Sequence, residues 1–97
     1  MSDQQRVEAT VYGRVQGVSF RYYTQQKAQQ LGLTGWVANH PDGTVRLIAE
    51  GPRPDLEALV AFLQQGSPAA HVRQVETNWH QASGEWTAFG IHYFNNT

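Results

Sequence analysis

Apolar and polar residues alternate in the first part of the chain, where Val7, Ala9 and Val11 are separated by polar side chains. A period of two is typical of a strand with one buried face. The turn chemistry of Pro41-Asp42-Gly43 separates two further strand-like segments. The pattern thus predicts strands over 7–11, 35–39, 44–50, 72–80 and 89–93, and in the last of these Phe89, Ile91 and Tyr93 share one face.

Apolar residues recur at helical spacing in two other stretches. The first predicted helix covers 21–31, places Thr24 and Ala28 on one face and ends at Gly32, because glycine readily adopts the left-handed conformation that closes many helices. The second begins at Pro54, since proline is favoured in the first helical turn. Its apolar positions follow the spacing i, i+3, i+4, i+7, at Leu56, Leu59, Val60 and Leu63.

The resulting order, β-α-β-β-α-β-β, predicts an α+β fold of the ferredoxin-like class. In this two-layer sandwich, two β-α-β halves form an antiparallel sheet with both helices on one face. Large aromatic side chains are expected to fill its small core, namely Trp36, Phe62, Trp79, Phe89 and Tyr93. A chain of 97 residues suits one domain, and we expect that domain to span residues 1–97.

Composition and charge narrow the possible functions. The net charge is −1 and no run of like charges occurs, so neither nucleic acid nor a membrane surface is an expected partner. The chain has no cysteine, which excludes disulfides, thiolate catalysis and Cys-ligated zinc. The first residues lack the apolar core of a signal peptide and no later segment has membrane-spanning length, so a cytoplasmic protein is expected.

The connection between the first strand and the first helix carries the candidate chemistry. Between Gly13 and Arg21, two glycines let the backbone bend, and the helix that follows offers unpaired N–H groups and the positive end of its dipole. Successive amides are predicted to turn toward an anion, and the Arg21 guanidinium can bind the same oxygens through two N–H groups. The predicted phosphate contacts are Gln16, Gly17, Val18, Ser19, Phe20 and Arg21.

Glycine spacing alone favours a plainer interpretation, an ordinary connection with a surface arginine. The segment also lacks the ending of the nucleotide-binding P-loop and the dinucleotide fingerprint. The complete string, however, which reads Gly-Arg-Val-Gln-Gly-Val-x-Phe-Arg over 13–21, resembles the signature of the acylphosphatase family nearly residue for residue. The segments 35–39 and 42–45 are similar to the family's second motif, and the resemblance covers almost the entire chain.

The resemblance implies an acylphosphatase, an enzyme that hydrolyses carboxyl-phosphate mixed anhydrides to a carboxylate and inorganic phosphate. By this match Arg21 corresponds to the family's phosphate-binding arginine and Asn39 to its catalytic asparagine, which would orient the attacking water. A carboxylate is a good leaving group, so positioning dominates and neither a cofactor nor a metal is expected. The expected partners are an acyl phosphate substrate and phosphate, and the protein is expected to be a monomer.

Three alternatives were weighed. A phosphocysteine mechanism with Cys-x5-Arg spacing would place its cysteine at Val15, which cannot attack phosphorus. An RNA-recognition domain shares the ferredoxin-like topology but needs aromatic residues on the third strand, and 44–50 has none. A domain that binds phosphate or carbamoyl phosphate for regulation, without free turnover, stays open as the alternative function.

Four features depart from the family pattern. His40 occupies a position where a small hydroxyl residue is frequent, Ala38 one where a longer polar residue is common, and His71 one where arginine is frequent. Four residues, Phe94–Thr97, extend beyond the usual end. None of these replaces the arginine or the asparagine, so we expect them to alter efficiency and substrate preference rather than the reaction.

Overall fold

The computed structural model describes residues 4–93, so the C-terminal extension Phe94–Thr97 lies outside the described residues. The elements have the predicted order: β1 (Gln4–Arg14), α1 (Phe20–Gln30), β2 (Thr34–Asn39), β3 (Val45–Pro52), α2 (Arg53–Leu63), β4 (His71–Gln81) and β5 (Phe89–Tyr93). The ferredoxin-like α+β prediction is confirmed. Each helix has 11 residues, which is too short to cross a membrane.

The sheet has the strand order β4-β1-β3-β2-β5. Neighbours among the first four strands are antiparallel, as predicted, but β5 lies parallel to β2, so the sheet is mixed. The reason is topological. β4 and β5 occupy opposite edges, and the connection 82–88 crosses at the end of the sheet where β4 finishes, so β5 must run opposite to β4.

Both helices pack on one face of the sheet and enclose the core. The alternating strand positions Val7 and Val11 are fully buried, as are Leu56, Leu59 and Leu63 of α2. Burying one such side chain contributes roughly 1.5–3 kcal/mol relative to leaving it exposed. The two periodicities seen in the sequence therefore identify the buried faces of strand and helix correctly.

The end of α1 follows the expected chemistry. Gly32 has φ of 71°, and its N–H donates to the Gln29 carbonyl at 3.1 Å. The N–H of Leu33 donates to the Ala28 carbonyl at 2.9 Å, and the Leu33 side chain is buried. This pair of bonds is the Schellman arrangement, which satisfies carbonyls that the last helical turn leaves open.

The aromatic core prediction is confirmed for Phe89 and wrong for Tyr93 and Trp36. Tyr93 is 77% exposed, although Phe89 at the other end of the same strand is buried. β5 is an edge strand, and Tyr93 is its last residue. Trp36 is only half-buried, because it lies on the sheet face opposite the helices, where it stacks on His92 with ring centroids 5.5 Å apart.

The connection 82–88 is held by a buried carboxylate. Glu50, near the end of β3, is 3% exposed and accepts hydrogen bonds from Arg6 Nε at 2.8 Å, Ser83 N at 2.8 Å and Gly84 N at 3.0 Å. Burial raises the pKa of this carboxyl, but the Ser83 and Gly84 amides and the Arg6 guanidinium lower it more, so the net pKa lies below its ordinary value. Glu50 therefore holds the segment that delivers β5 to the far edge of the sheet.

Candidate active site

One end of the sheet gathers the candidate chemistry. β1, β2 and β5 finish there, β3 starts there, and α1 begins directly beyond β1. A cleft of about 340 Å³ opens at this end, within the usual size range of small-molecule sites. Its lining residues are Val15, Gly17, Ser19, Phe20, Arg21, Tyr22, Asn39, Ile91 and Tyr93.

The loop that leads into α1 has the backbone shape of an anion-binding site. Gly17 has φ of 74° and Ser19 has φ of 63°, so two nearby residues are left-handed. Alternation of this kind turns consecutive N–H groups toward one side. Ser19 makes no side-chain cap and the first turn of α1 has no acidic residue, so nothing in that turn offsets the positive end of the helix dipole.

The predicted phosphate contacts divide into two groups. Gly17, Ser19, Phe20 and Arg21 line the cleft, whereas Gln16 and Val18 do not. Backbone contacts of those last two with phosphate stay a prediction. Val18 is half-buried and packs on the core.

The Gln16 side chain makes contacts that the sequence analysis did not predict. Its Nε2 donates to the carbonyl oxygen of His40 at 2.7 Å and to that of Thr44 at 3.0 Å. Both acceptors belong to the turn between β2 and β3, immediately after Asn39. Gln16 thus joins the loop that carries Arg21 to the turn that follows Asn39.

Arg21 is held by an aromatic ring rather than by an acid. Its guanidinium carbon lies 5.0 Å from the ring centroid of Tyr93, which is within the range of a cation–π contact. Among residues 4–93, no carboxylate forms an ion pair with Arg21. Its N–H donors therefore stay available for a phosphoryl group.

Asn39 brings an unpaired acceptor to the same cleft. Its Oδ1 is buried and accepts no hydrogen bond from any residue in the described part of the chain. Leaving such an atom unpaired costs about 1–3 kcal/mol. The residue itself lines the cleft together with Arg21.

The turn after Asn39 is organised by Asp42. Asp42 Oδ1 accepts from Thr44 Oγ1 at 2.6 Å and from Thr44 N at 2.9 Å, and it lies 3.1 Å from His40 Nδ1. Asp42 Oδ2 accepts from Arg46 Nη2 at 2.9 Å. The hydrogen bonds from Thr44, and after them Arg46 and His40, hold the pKa of the Asp42 carboxyl well below its ordinary value.

Four lining residues escaped the sequence analysis as site residues: Val15, Tyr22, Ile91 and Tyr93. Tyr93 pairs in register with Asn39, and Ile91 with Val37, across the parallel β2–β5 ladder. No pattern within β5 predicts that pairing, because it depends on which edge of the sheet β5 joins. For Tyr22, the only indication in the sequence of a place in the site was its position next to Arg21.

No three His, Cys, Asp or Glu side chains in residues 4–93 lie close enough together to hold a metal ion.

The fold and the cleft define a class of protein, a ferredoxin-like α+β domain whose first strand-to-helix connection is shaped to bind an anion. The model of the acylphosphatase family matches residues 7–91. An acylphosphatase of Acaryochloris marina is 47% identical over 85 residues, which cover 88% of this chain and 90% of the relative. The chain therefore belongs to the acylphosphatase family, and its reaction is the hydrolysis of acyl phosphates.

Solved structures agree with this assignment. The acylphosphatase from Bacillus subtilis superposes with a TM-score of 0.89 at 37% identity, over 92% of this chain and 99% of that one. Full-length HypF, in a phosphate- and nucleotide-bound form, contains a region of the same shape, with a TM-score of 0.85 at 26% identity. That match covers 95% of this chain but 12% of HypF.

Proposed function

We propose that this chain hydrolyses acyl phosphates by direct attack of water on phosphorus, with the phosphoryl group held by residues 13–21 and the water held by Asn39. The observation that carries the proposal is that Arg21 and Asn39 line one cleft. The guanidinium of Arg21 has no acidic partner among the described residues. A phosphoryl group can therefore bind at Arg21, with a water beside it at Asn39.

Phosphate binding rests on backbone and guanidinium together. The amides between Gly17 and Arg21 bind the phosphoryl oxygens at the positive end of α1, and Arg21 adds charge-assisted hydrogen bonds. Phosphoryl transfer spreads negative charge over these oxygens in the transition state. Donors already fixed in place stabilise that charge without reorganisation.

The nucleophile is the water itself. Its oxygen forms a bond to phosphorus while the bond to the bridging oxygen breaks, and that electron pair leaves with the carboxylate. Asn39 cannot accept the proton near neutral pH, so a phosphoryl oxygen takes it. The part of Asn39 is to hydrogen-bond the water and to keep the lone pair of the water directed at phosphorus.

Kinetics with benzoyl phosphate in the presence of a chelator test the proposal. We expect Arg21→Ala and Asn39→Ala each to lower kcat/KM by about 10²–10³-fold, the usual loss when a transition-state contact is removed. Arg73→Ala and Asn78→Ala are matched controls, because both residues are exposed and neither lines the cleft. Full activity in either site variant would overturn the assigned roles.

Labelled water tests the bond that breaks. When the reaction is run in water enriched in heavy oxygen, we expect the label in inorganic phosphate. Label in the carboxylate would mean attack at carbon and would contradict the mechanism.

The alternative function predicts a different result. HypF is a larger protein that contains a similar region, and a binding domain would hold phosphate without turnover. Tight binding of inorganic phosphate by a chain that leaves benzoyl phosphate intact would favour that alternative. A single domain over 1–97, a monomeric state, a cytoplasmic location and the lack of a nucleic-acid partner stay predictions, of which sedimentation of the purified chain tests the second.

A further inference from the structure

The mouth of the cleft is aromatic. Of the large apolar side chains that residues 4–93 leave exposed, Tyr93 is 77% and Tyr22 54% exposed, and both line the cleft. Val15 and Phe20, by contrast, line it while only 1% exposed. Burial therefore separates a deep part, formed by the loop, from an outer rim formed by the two tyrosines.

A substrate held by its phosphoryl group at Arg21 leaves its acyl half in the outer part of the cleft, because Val15 and Phe20 close the inner part. Tyr22 follows Arg21 on α1, and the Tyr93 ring centroid lies 5.0 Å from the Arg21 guanidinium carbon. Both rings therefore lie within reach of the acyl group.

Both rings are held in place before substrate arrives. Tyr22 packs edge-to-face on Tyr23, with ring centroids 5.7 Å apart at an interplanar angle of 86°. Tyr93 lies against the Arg21 guanidinium at 5.0 Å. These contacts orient both rings before substrate arrives, which lowers the entropic cost of their contact with a flat acyl group.

We propose that Tyr22 and Tyr93 form the acyl subsite of this enzyme and that its preferred substrates are aromatic acyl phosphates. The inference rests on the proposed function, because it assumes that the phosphoryl group binds at Arg21. The two tyrosines contact the acyl group, which is the part of the substrate that the family reaction does not specify.

The ratio of kcat/KM for benzoyl phosphate to kcat/KM for acetyl phosphate tests the subsite, because the ratio cancels any general loss of activity. An aromatic pair contributes enough to change such a ratio by about 3- to 10-fold. We expect Tyr22→Ala and Tyr93→Ala each to lower it by that factor and Tyr93→Phe to keep it. Tyr12→Ala is the matched control, since Tyr12 does not line the cleft. Competitive inhibition by inorganic phosphate is expected to be unchanged in Tyr22→Ala.

A ratio within twofold of wild type in either alanine variant would overturn the subsite, as would an equal fall in Tyr12→Ala. These outcomes differ from failure of the proposed function. In that case Arg21→Ala and Asn39→Ala would leave the hydrolysis of both substrates intact, whatever the ratio.

Discussion

At the residue scale, the ionised Asp42 carboxylate holds the turn that follows Asn39, so protonation of this carboxylate weakens the turn. It accepts hydrogen bonds from both polar groups of Thr44 and pairs with Arg46, and these contacts favour the ionised form. A carboxyl with a pKa below its unfolded value contributes stability above the unfolded value, near pH 4. That contribution is lost as the pH falls toward the folded pKa, which lies far lower.

We expect Asp42→Asn to lower the Tm at pH 7, since the ionised carboxylate is what the turn binds. The difference between wild type and variant is expected to shrink as the pH falls below about 4. Thermal melts followed by circular dichroism from pH 7 to pH 2 measure it. Glu57→Gln is the control for the loss of an exposed carboxylate, because it removes only the ion pair with Arg53. A difference that does not vary with pH would contradict the argument.

At the element scale, two segments distant in sequence must keep a fixed distance for the chemistry to work. The loop before α1 carries Arg21, and the end of β2 carries Asn39. The Gln16 side chain joins them through the carbonyls of His40 and Thr44. Two neutral hydrogen bonds of this kind contribute about 0.5–1.5 kcal/mol each.

Removal of that connection is expected to affect the rate more than the fold. We expect Gln16→Ala to lower kcat/KM for benzoyl phosphate about tenfold, mainly through kcat, because a displaced water reacts more slowly even when the phosphoryl group is bound. The exposed Gln26 of α1 provides the control substitution, Gln26→Ala. If Gln16→Ala lost stability but kept its kcat, Gln16 would be structural and not a positioning residue.

At the scale of the whole molecule, the candidate active site and the hydrogen bonds that hold the connection 82–88 lie at opposite ends of the sheet. The cleft lies at the end where β1 and β2 finish, whereas the Glu50 cluster lies at the opposite end, where β4 passes into the connection 82–88. Residues that are far apart and share no partners usually act additively. Stability and catalysis are therefore expected to be separable by mutation.

Glu50→Ala tests this separation. Breaking a buried charged pair costs roughly 3–5 kcal/mol, and a domain of this size loses about 4–8 °C of Tm per kcal/mol. We expect a Tm drop above 10 °C, while kcat/KM for benzoyl phosphate stays within twofold of wild type at a temperature where the variant is folded. A matching loss of activity in the folded variant would mean that the anchor of β5 also shapes the cleft.

The sequence alone determined what depends on neighbours within a few residues. Strand and helix periods identified the buried faces, and Gly32 predicted the end of α1. Both follow from local sterics, hydrogen bonding and the period of one element, which a short segment carries entirely. The loop over 13–21 was predicted to bind an anion from its resemblance to the acylphosphatase signature, because its glycine spacing alone favours an ordinary connection. The element order then restricted the fold to the ferredoxin-like arrangement.

The tertiary structure decided what depends on segments meeting across the sheet. The crossing of 82–88 placed β5 parallel to β2, which brought Tyr93 beside Asn39. The alternation within β5 predicts a buried Tyr93, whereas the residue is exposed. The same long-range packing directed the Gln16 side chain at the turn after Asn39. Such contacts join residues tens of positions apart, and their geometry follows from which edges and faces become buried together. The anion-binding loop was thus readable in the sequence, whereas the walls of the cleft around it were not.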